Sequence, residues 1–128
     1  MMTAVYDAGV LIAAESSVRA VWAEHRVCLE MGVLPVTTAP VVAQVSRSAR
    51  QVQLRRFLRG CRVRPFDDAQ SHRVGELLAA TGTSDVVDAH VAAVASESKA
   101  GSVITSDPDD IAALLAAAGS AARVIAVG

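Results

Sequence analysis

Ser102-Val103-Ile104-Thr105-Ser106-Asp107-Pro108-Asp109-Asp110-Ile111 runs a strand, an acid and a helix start together with hardly a residue between them. Val103, Ile104 and Thr105 are β-branched and suit a strand. Asp107 before Pro108 is a helix opening, with proline at the first helical position. The helix then runs through Leu115. The amino-terminal end repeats the order: Thr3-Ala4-Val5-Tyr6 reads as a short buried strand, Asp7 ends it, and Gly9 to Ala14 reads as a brief helix. Between these units the periodicity predicts a helix from Val18 to Met31, stopped by Gly32, and a strand over Leu34-Pro35-Val36-Thr37. A helix is expected from Pro40 through Val45 and on through the arginine-rich segment to Leu58, closed by Gly60. A strand over Arg62 to Phe66, a helix from Asp67 to Thr81, a helix from Val86 to Ala100 ended by Gly101, and a last strand over Arg123 to Val127 complete the reading. Strands alternating with helices imply a parallel sheet covered on both faces. The expected fold class is therefore α/β, a three-layer α/β/α sandwich with a central, mainly parallel sheet of four to five strands.

The 128 residues are 52% hydrophobic, with a mean hydropathy of +0.39, which is ample material for one core and excludes a disordered chain. One domain over 1–128 is expected. No apolar run approaches the ~18–20 residues of a membrane span. The start lacks the basic lead of a secretory signal. Cys28 and Cys61 make neither a disulfide framework nor a metal knuckle, so a reducing, cytoplasmic setting is the simpler expectation.

The formal net charge is -1, but the charges are segregated. Arg47, Arg50, Arg55, Arg56, Arg59, Arg62 and Arg64 are seven of the 12 basic residues, and no acid lies among them. From Asp85 to Asp110 the acids Asp85, Asp88, Glu97, Asp107, Asp109 and Asp110 face Lys99 alone. A basic ridge beside an acidic pocket fits a polyanionic partner, and an arginine-rich solvated face is the plainer alternative. Aromatic residues are only 3%, so such a partner would be gripped by its backbone rather than by stacked bases.

In parallel α/β sheets the working residues lie beyond the carboxyl ends of the strands. Asp7 and the Asp107, Asp109, Asp110 group occupy that position, and Asp85 with Asp88 opens another helix. Each group alone also reads as a helix cap. Their conjunction is what points to chemistry: gathered carboxylates repel unless a cation sits among them. Hard oxygen ligands select Mg²⁺ or Mn²⁺. His25, His72 and His90 are scattered, and His90, two residues past Asp88, reads as a packing or surface residue. Gly-x-Ser-x-Gly elbows and phosphate-cradling glycine loops are missing from the sequence. A phospho-receiver is discarded as well, because Asp7 stands alone and Lys99 falls in a helix.

Three segments carry a family resemblance. Tyr6-Asp7-Ala8-Gly9-Val10-Leu11-Ile12-Ala13 resembles the opening of PIN-domain nucleases, particularly the VapC-type toxin ribonucleases of type II toxin-antitoxin systems. Asp85-Val86-Val87-Asp88-Ala89-His90-Val91-Ala92-Ala93 resembles the segment bearing their third acid, placed on Asp88, and Val103 to Ile111 resembles their final strand-then-acid element. The resemblance implies a metal-dependent endoribonuclease in which Asp7, Asp88 and Asp107 are catalytic. It places Mg²⁺, or Mn²⁺, on these three with Asp110. It also implies an RNA substrate, a VapB-type antitoxin as partner, and a homodimer. Arg47 and Arg50 would hold flanking RNA phosphates.

One position departs from the family. The helix after the second strand usually carries a glutamate where this chain has Gln44. Glutamine keeps a carbonyl oxygen but loses a charge, which weakens a second cation site most; Asp85 is the candidate to restore that charge. Gln44 thus opens an alternative, a degenerate PIN module that binds RNA or antitoxin without cleaving. A third reading is a small-molecule phosphatase on the same sheet. Trp22 and Phe57 read first as core residues and second as the lining of an antitoxin groove.

Overall fold

The computed structural model describes residues 2–127. Five strands form one sheet in the order β3-β2-β1-β4-β5: β1 (Thr3–Tyr6), β2 (Leu34–Thr38), β3 (Arg62–Arg64), β4 (Ser102–Thr105) and β5 (Arg123–Ala126). All four pairings are parallel, with Val5 opposite both Val36 and Val103. The central strand β1 is buried along its whole length, as a strand covered on both faces must be.

Helices α1 (Ala8–Glu15), α2 (Arg19–Glu30), α3 (Ala39–Val45) and α4 (Val52–Leu58) follow β1 and β2. Helices α5 (Asp68–Thr81), α6 (Val86–Glu97) and α7 (Pro108–Ala117) follow β3 and β4. The fold is a three-layer α/β/α sandwich, as the alternation of strand and helix signals predicts. α6 is the central helix of its layer, lying between α5 and α7 and against β1 and β2. Every residue from Ala89 to Ala95 is fully buried. Its alanines let neighbouring backbones approach closely, and each fully buried valine contributes ~1.5–3 kcal/mol.

The structure departs from the expected elements in the arginine-rich segment. The single helix expected from Pro40 to Leu58 is broken into α3 and α4 by residues 46–51. Ser46 turns extended (ψ 124°), and its hydroxyl donates to the carbonyl of Val42 at 2.6 Å. Gln51 fixes the break: its Oε1 accepts from the amides of Arg47 (2.7 Å) and Ser48 (3.1 Å), while its Nε2 donates to the Val45 carbonyl (3.0 Å). Side chains that satisfy a helix end in this way compete with helix continuation. Strand β3 stops at Arg64 rather than Phe66, because Pro65 has no amide to donate to the ladder. α6 ends at Glu97 instead of Ala100, with Lys99 in the left-handed region (φ 51°).

Phe57 is fully buried, and half-buried Trp22 meets it edge-on at 5.1 Å between centroids. Trp22 donates its indole N–H to the Ala14 carbonyl at 3.0 Å, which ties α2 to α1. Both residues belong to the packed cluster around Tyr6 and His25. No helix is long and apolar enough to cross a membrane among the described residues.

Candidate metal centre

Asp7 follows the last residue of β1, and Asp107 lies two residues past the end of β4, its neighbour in the sheet. Both stand at the carboxyl end of the sheet, where the first turn of α6 brings Asp88. One carboxylate oxygen from each of Asp7, Asp88 and Asp107 lies within 4.8 Å of the others. Residues separated by up to 100 positions of chain are thereby gathered at one point. Asp7 is buried, Asp88 half-buried and Asp107 exposed, so the group opens to solvent on one side.

Asp7 is held from two directions. Its Oδ1 accepts from the Ala8 amide at 2.8 Å, and its Oδ2 accepts from the Thr105 hydroxyl at 2.7 Å. Thr105 is fully buried, and its oxygen also accepts from the Asp107 amide at 2.9 Å. A single hydroxyl therefore fixes both the first acid and the turn bearing the last. Gly9 permits the approach: a Cβ at that position would lie 2.8 Å from Ser106 Oγ and 2.9 Å from Ser106 Cβ. In the sequence, Thr105 reads as a strand residue and Gly9 as part of the Tyr6–Ala13 segment. The signals available were a hydroxyl residue closing the strand two positions before the acid, and a glycine two positions after Asp7.

Helix capping accounts for some acids and not others. Asp85 caps α6 by accepting from the Asp88 amide at 3.0 Å. Asp107 precedes Pro108 but makes no side-chain cap bond, which leaves its carboxylate uncommitted. Asp110 is exposed in the first turn of α7 and, like Asp85, lies outside the converging three. Gln44 is exposed on α3. Arg47 and Arg50 are exposed in the break before α4. His90 packs rather than reaching the surface. It is fully buried, with Nε2 2.8 Å from Gln70 Oε1 and its ring edge-on to Phe66.

The electrostatics match the donor set. The carboxyl of Asp88 is pushed from its ordinary 3.8 up to about 7, first by burial and then by the charges of Asp7, Asp85, Asp107 and Asp110. Among the described residues, Asp7, Asp88 and Asp107 enter no ion pair with lysine, arginine or histidine. A group of carboxylates with no cationic side chain paired to it, one of them pressed to keep its proton, fits a hard divalent cation. The Asp7, Asp88 and Asp107 oxygens are the residues that would hold one.

Comparison with known proteins adds the lineage. No curated protein sequence matches the chain. Among solved structures, a chain of the VapBC2 complex from Rickettsia felis, bound to a DNA fragment from its promoter, superimposes with a TM-score of 0.67 at 15% identity. The match covers 99% of this chain and 100% of that one, and at this identity it speaks for the fold. The sequence model of the PIN domain aligns with residues 4–115, from within β1 to within α7. That span includes all three converging acids, and the chain belongs to the PIN domain family.

Proposed function

We propose that this chain is a metal-dependent endoribonuclease of the VapC toxin type, a single nuclease domain over 1–128 restrained by a VapB-type antitoxin. The convergence of Asp7, Asp88 and Asp107 within 4.8 Å is the observation that carries the reading. The fold shared with a chain of a VapBC2 complex supports an antitoxin as partner.

The three acids would hold Mg²⁺ or Mn²⁺, with Asp110 close enough to bear on Asp88 electrostatically. When bound, the cation supplies Lewis-acid polarisation of the scissile phosphate and acidifies a water. The protein's part is preorganisation. Thr105 and the Ala8 amide each occupy one lone pair of Asp7, fixing the carboxylate while leaving lone pairs for a ligand. Asp88 must shed its proton to contribute, so cation affinity should rise as pH approaches about 7. Arg47 and Arg50, exposed and outside any ion pair among the described residues, are the proposed grips for flanking phosphates. Neighbouring Arg55 and Arg56 extend that basic surface along α4.

A second reading rests on Gln44. A neutral side chain at that place on α3 lowers the charge available to a second cation, and in the extreme leaves a module that binds RNA or antitoxin without cutting. Cleavage of RNA with Mg²⁺ or Mn²⁺ by wild type, Asp7→Ala and Gln44→Glu separates the two. The nuclease reading expects cation-dependent cutting by wild type, abolished in Asp7→Ala. Cutting by Gln44→Glu alone would establish the degenerate module instead. Turnover of small phosphate esters without RNA cleavage would favour a phosphatase.

A further inference from the structure

Between Arg47 and Arg64 the chain holds seven arginines and no acid, and the helix inside that segment has no cap of its own. Gln51, which precedes α4, makes no side-chain bond to its first turn, because its amide group is spent on the break. The first amides of a helix have no partner within it. The Leu54 amide finds one elsewhere in the chain: it donates to Glu15 Oε2 at 2.6 Å. Glu15 is the last residue of α1 and lies 39 positions earlier. A carboxylate in the first turn also meets the positive end of the helix dipole.

Glu15 is half-buried and, among the described residues, enters no ion pair. Its charge therefore satisfies backbone and neutralises no arginine. The cap seats α4 on α1, with Leu54 and Phe57 buried. From α4 the constraint passes to the break in two ways. Gln51 holds the amides of Arg47 and Ser48, and the Arg55 guanidinium donates to the Ala49 carbonyl. At its other end α1 begins beside Asp7, whose Oδ1 accepts from the Ala8 amide. The eight residues of α1 set ~12 Å between these two acid-bearing ends.

We propose that Glu15 is a positioning residue for the phosphate grip: by capping α4 from α1 it holds the break, and with it Arg47 and Arg50, at a set distance from the converging acids. The inference rests on the reading of Arg47 and Arg50 as grips for RNA. Glu15 itself touches no phosphate and acts through the Leu54 amide and the backbone that follows from it. Its charge and its position pull in opposite directions. As a negative charge beside a basic surface it opposes a polyanion. As a cap it supports one, by keeping the arginines where the phosphates pass. Substitutions that remove the charge while keeping or removing the acceptor oxygen separate the two effects.

The test compares Glu15→Gln with Glu15→Met in the full chain. Both are neutral and of similar length, but only glutamine offers an oxygen to the Leu54 amide. Affinity for a labelled oligouridine is read by fluorescence anisotropy over a range of salt, with EDTA present so that nothing is cut. Circular dichroism checks folding, and Glu15→Ala replaces Glu15→Met if the thioether does not fit. Glu15→Gln should bind at least as tightly as wild type. Glu15→Met should bind ~5-fold more weakly at ~0.1 M salt, with the slope of log affinity against log salt lower by about 0.7, the loss of one phosphate contact. With Arg47→Ala and Arg50→Ala combined in the background, the two Glu15 variants should bind alike. Equal affinity and slope for Glu15→Gln and Glu15→Met, or a difference that persists without Arg47 and Arg50, would overturn the proposal and leave the nuclease reading standing. Cleavage with Mn²⁺ is measured separately, so its absence would retire the nuclease reading and leave the binding comparison in force. Wild type that binds no RNA at low salt would overturn both.

Discussion

The carboxyl ends of β1 and β4 and the arginine-bearing break between α3 and α4 are opposite kinds of surface. At the strand ends, Asp7 is buried and bonded on both oxygens, and Thr105 ties it to the turn that bears Asp107. In the break, Arg47 and Arg50 are exposed, Gln51 holds the backbone, and the Arg47 guanidinium donates to the Ser46 carbonyl at 2.9 Å. The first region is organised to fix charges within a few ångströms of one another, as cation ligation requires. The second presents charge loosely, as suits a flexible polyanion gripped by its backbone. Substitutions in the two regions should therefore differ in kind as well as size.

The largest effects belong to the acids. Asp7→Asn and Asp88→Asn should each reduce cation-dependent RNA cleavage by more than the roughly 10–100-fold that loss of a ligand's outer partner costs. Thr105→Val comes next, removing the hydroxyl from Asp7 and from the Asp107 amide. Cation affinity measured by titration should fall ~10–100-fold, and Thr105→Ser should recover most of it. Gly9→Ala sharpens the same point through packing. The added methyl meets Ser106, and chemical denaturation should show a loss of ~1–3 kcal/mol. The smallest effects belong to the break. Arg47→Ala and Arg50→Ala should each lower the slope of log affinity for single-stranded RNA against log salt by about 0.7, with stability changed by no more than ~0.5 kcal/mol. Equal sensitivity of cation binding to the arginine and threonine substitutions would erase the contrast.

The order of strands and helices was legible because β1 and β4 read as β-branched or apolar runs ending at acids, and because Gly32, Pro40 and Gly101 punctuate them. Asp7 and Asp107 were legible from their place after strands and Asp88 from its place at a helix opening, since sheet topology and not sequence distance determines what meets at a sheet edge. Composition pointed the wrong way between Ser46 and Gln51. Arginine, alanine and glutamine favour helix, but Ser46 and Gln51 bind the backbone through their side chains and end α3. Thr105 and Gly9 were missed as site residues for a related reason. Their importance lies in contacts across the sheet, with Asp7 and with Ser106, that no local pattern encodes. Cap signals for Asp85 and Asp107 looked alike in sequence. Only the folded chain distinguishes the carboxylate that caps its helix from the one left free.

A pH dependence follows from Asp88. Its pKa is raised in the folded chain, so without a cation the ionised form opposes folding: stability should fall as pH rises from about 3.8 through about 7. Cation binding runs the other way, because the ligand must shed its proton. The most direct test is calorimetric titration of the protein with Mn²⁺ from pH 6 to pH 8, for wild type and Asp88→Asn. Wild type should bind with an affinity that rises through about pH 7 and release protons below it, while Asp88→Asn should bind weakly with that dependence gone. Absence of binding at pH 8, or binding equal in the two proteins, would contradict a cation centre built from Asp7, Asp88 and Asp107.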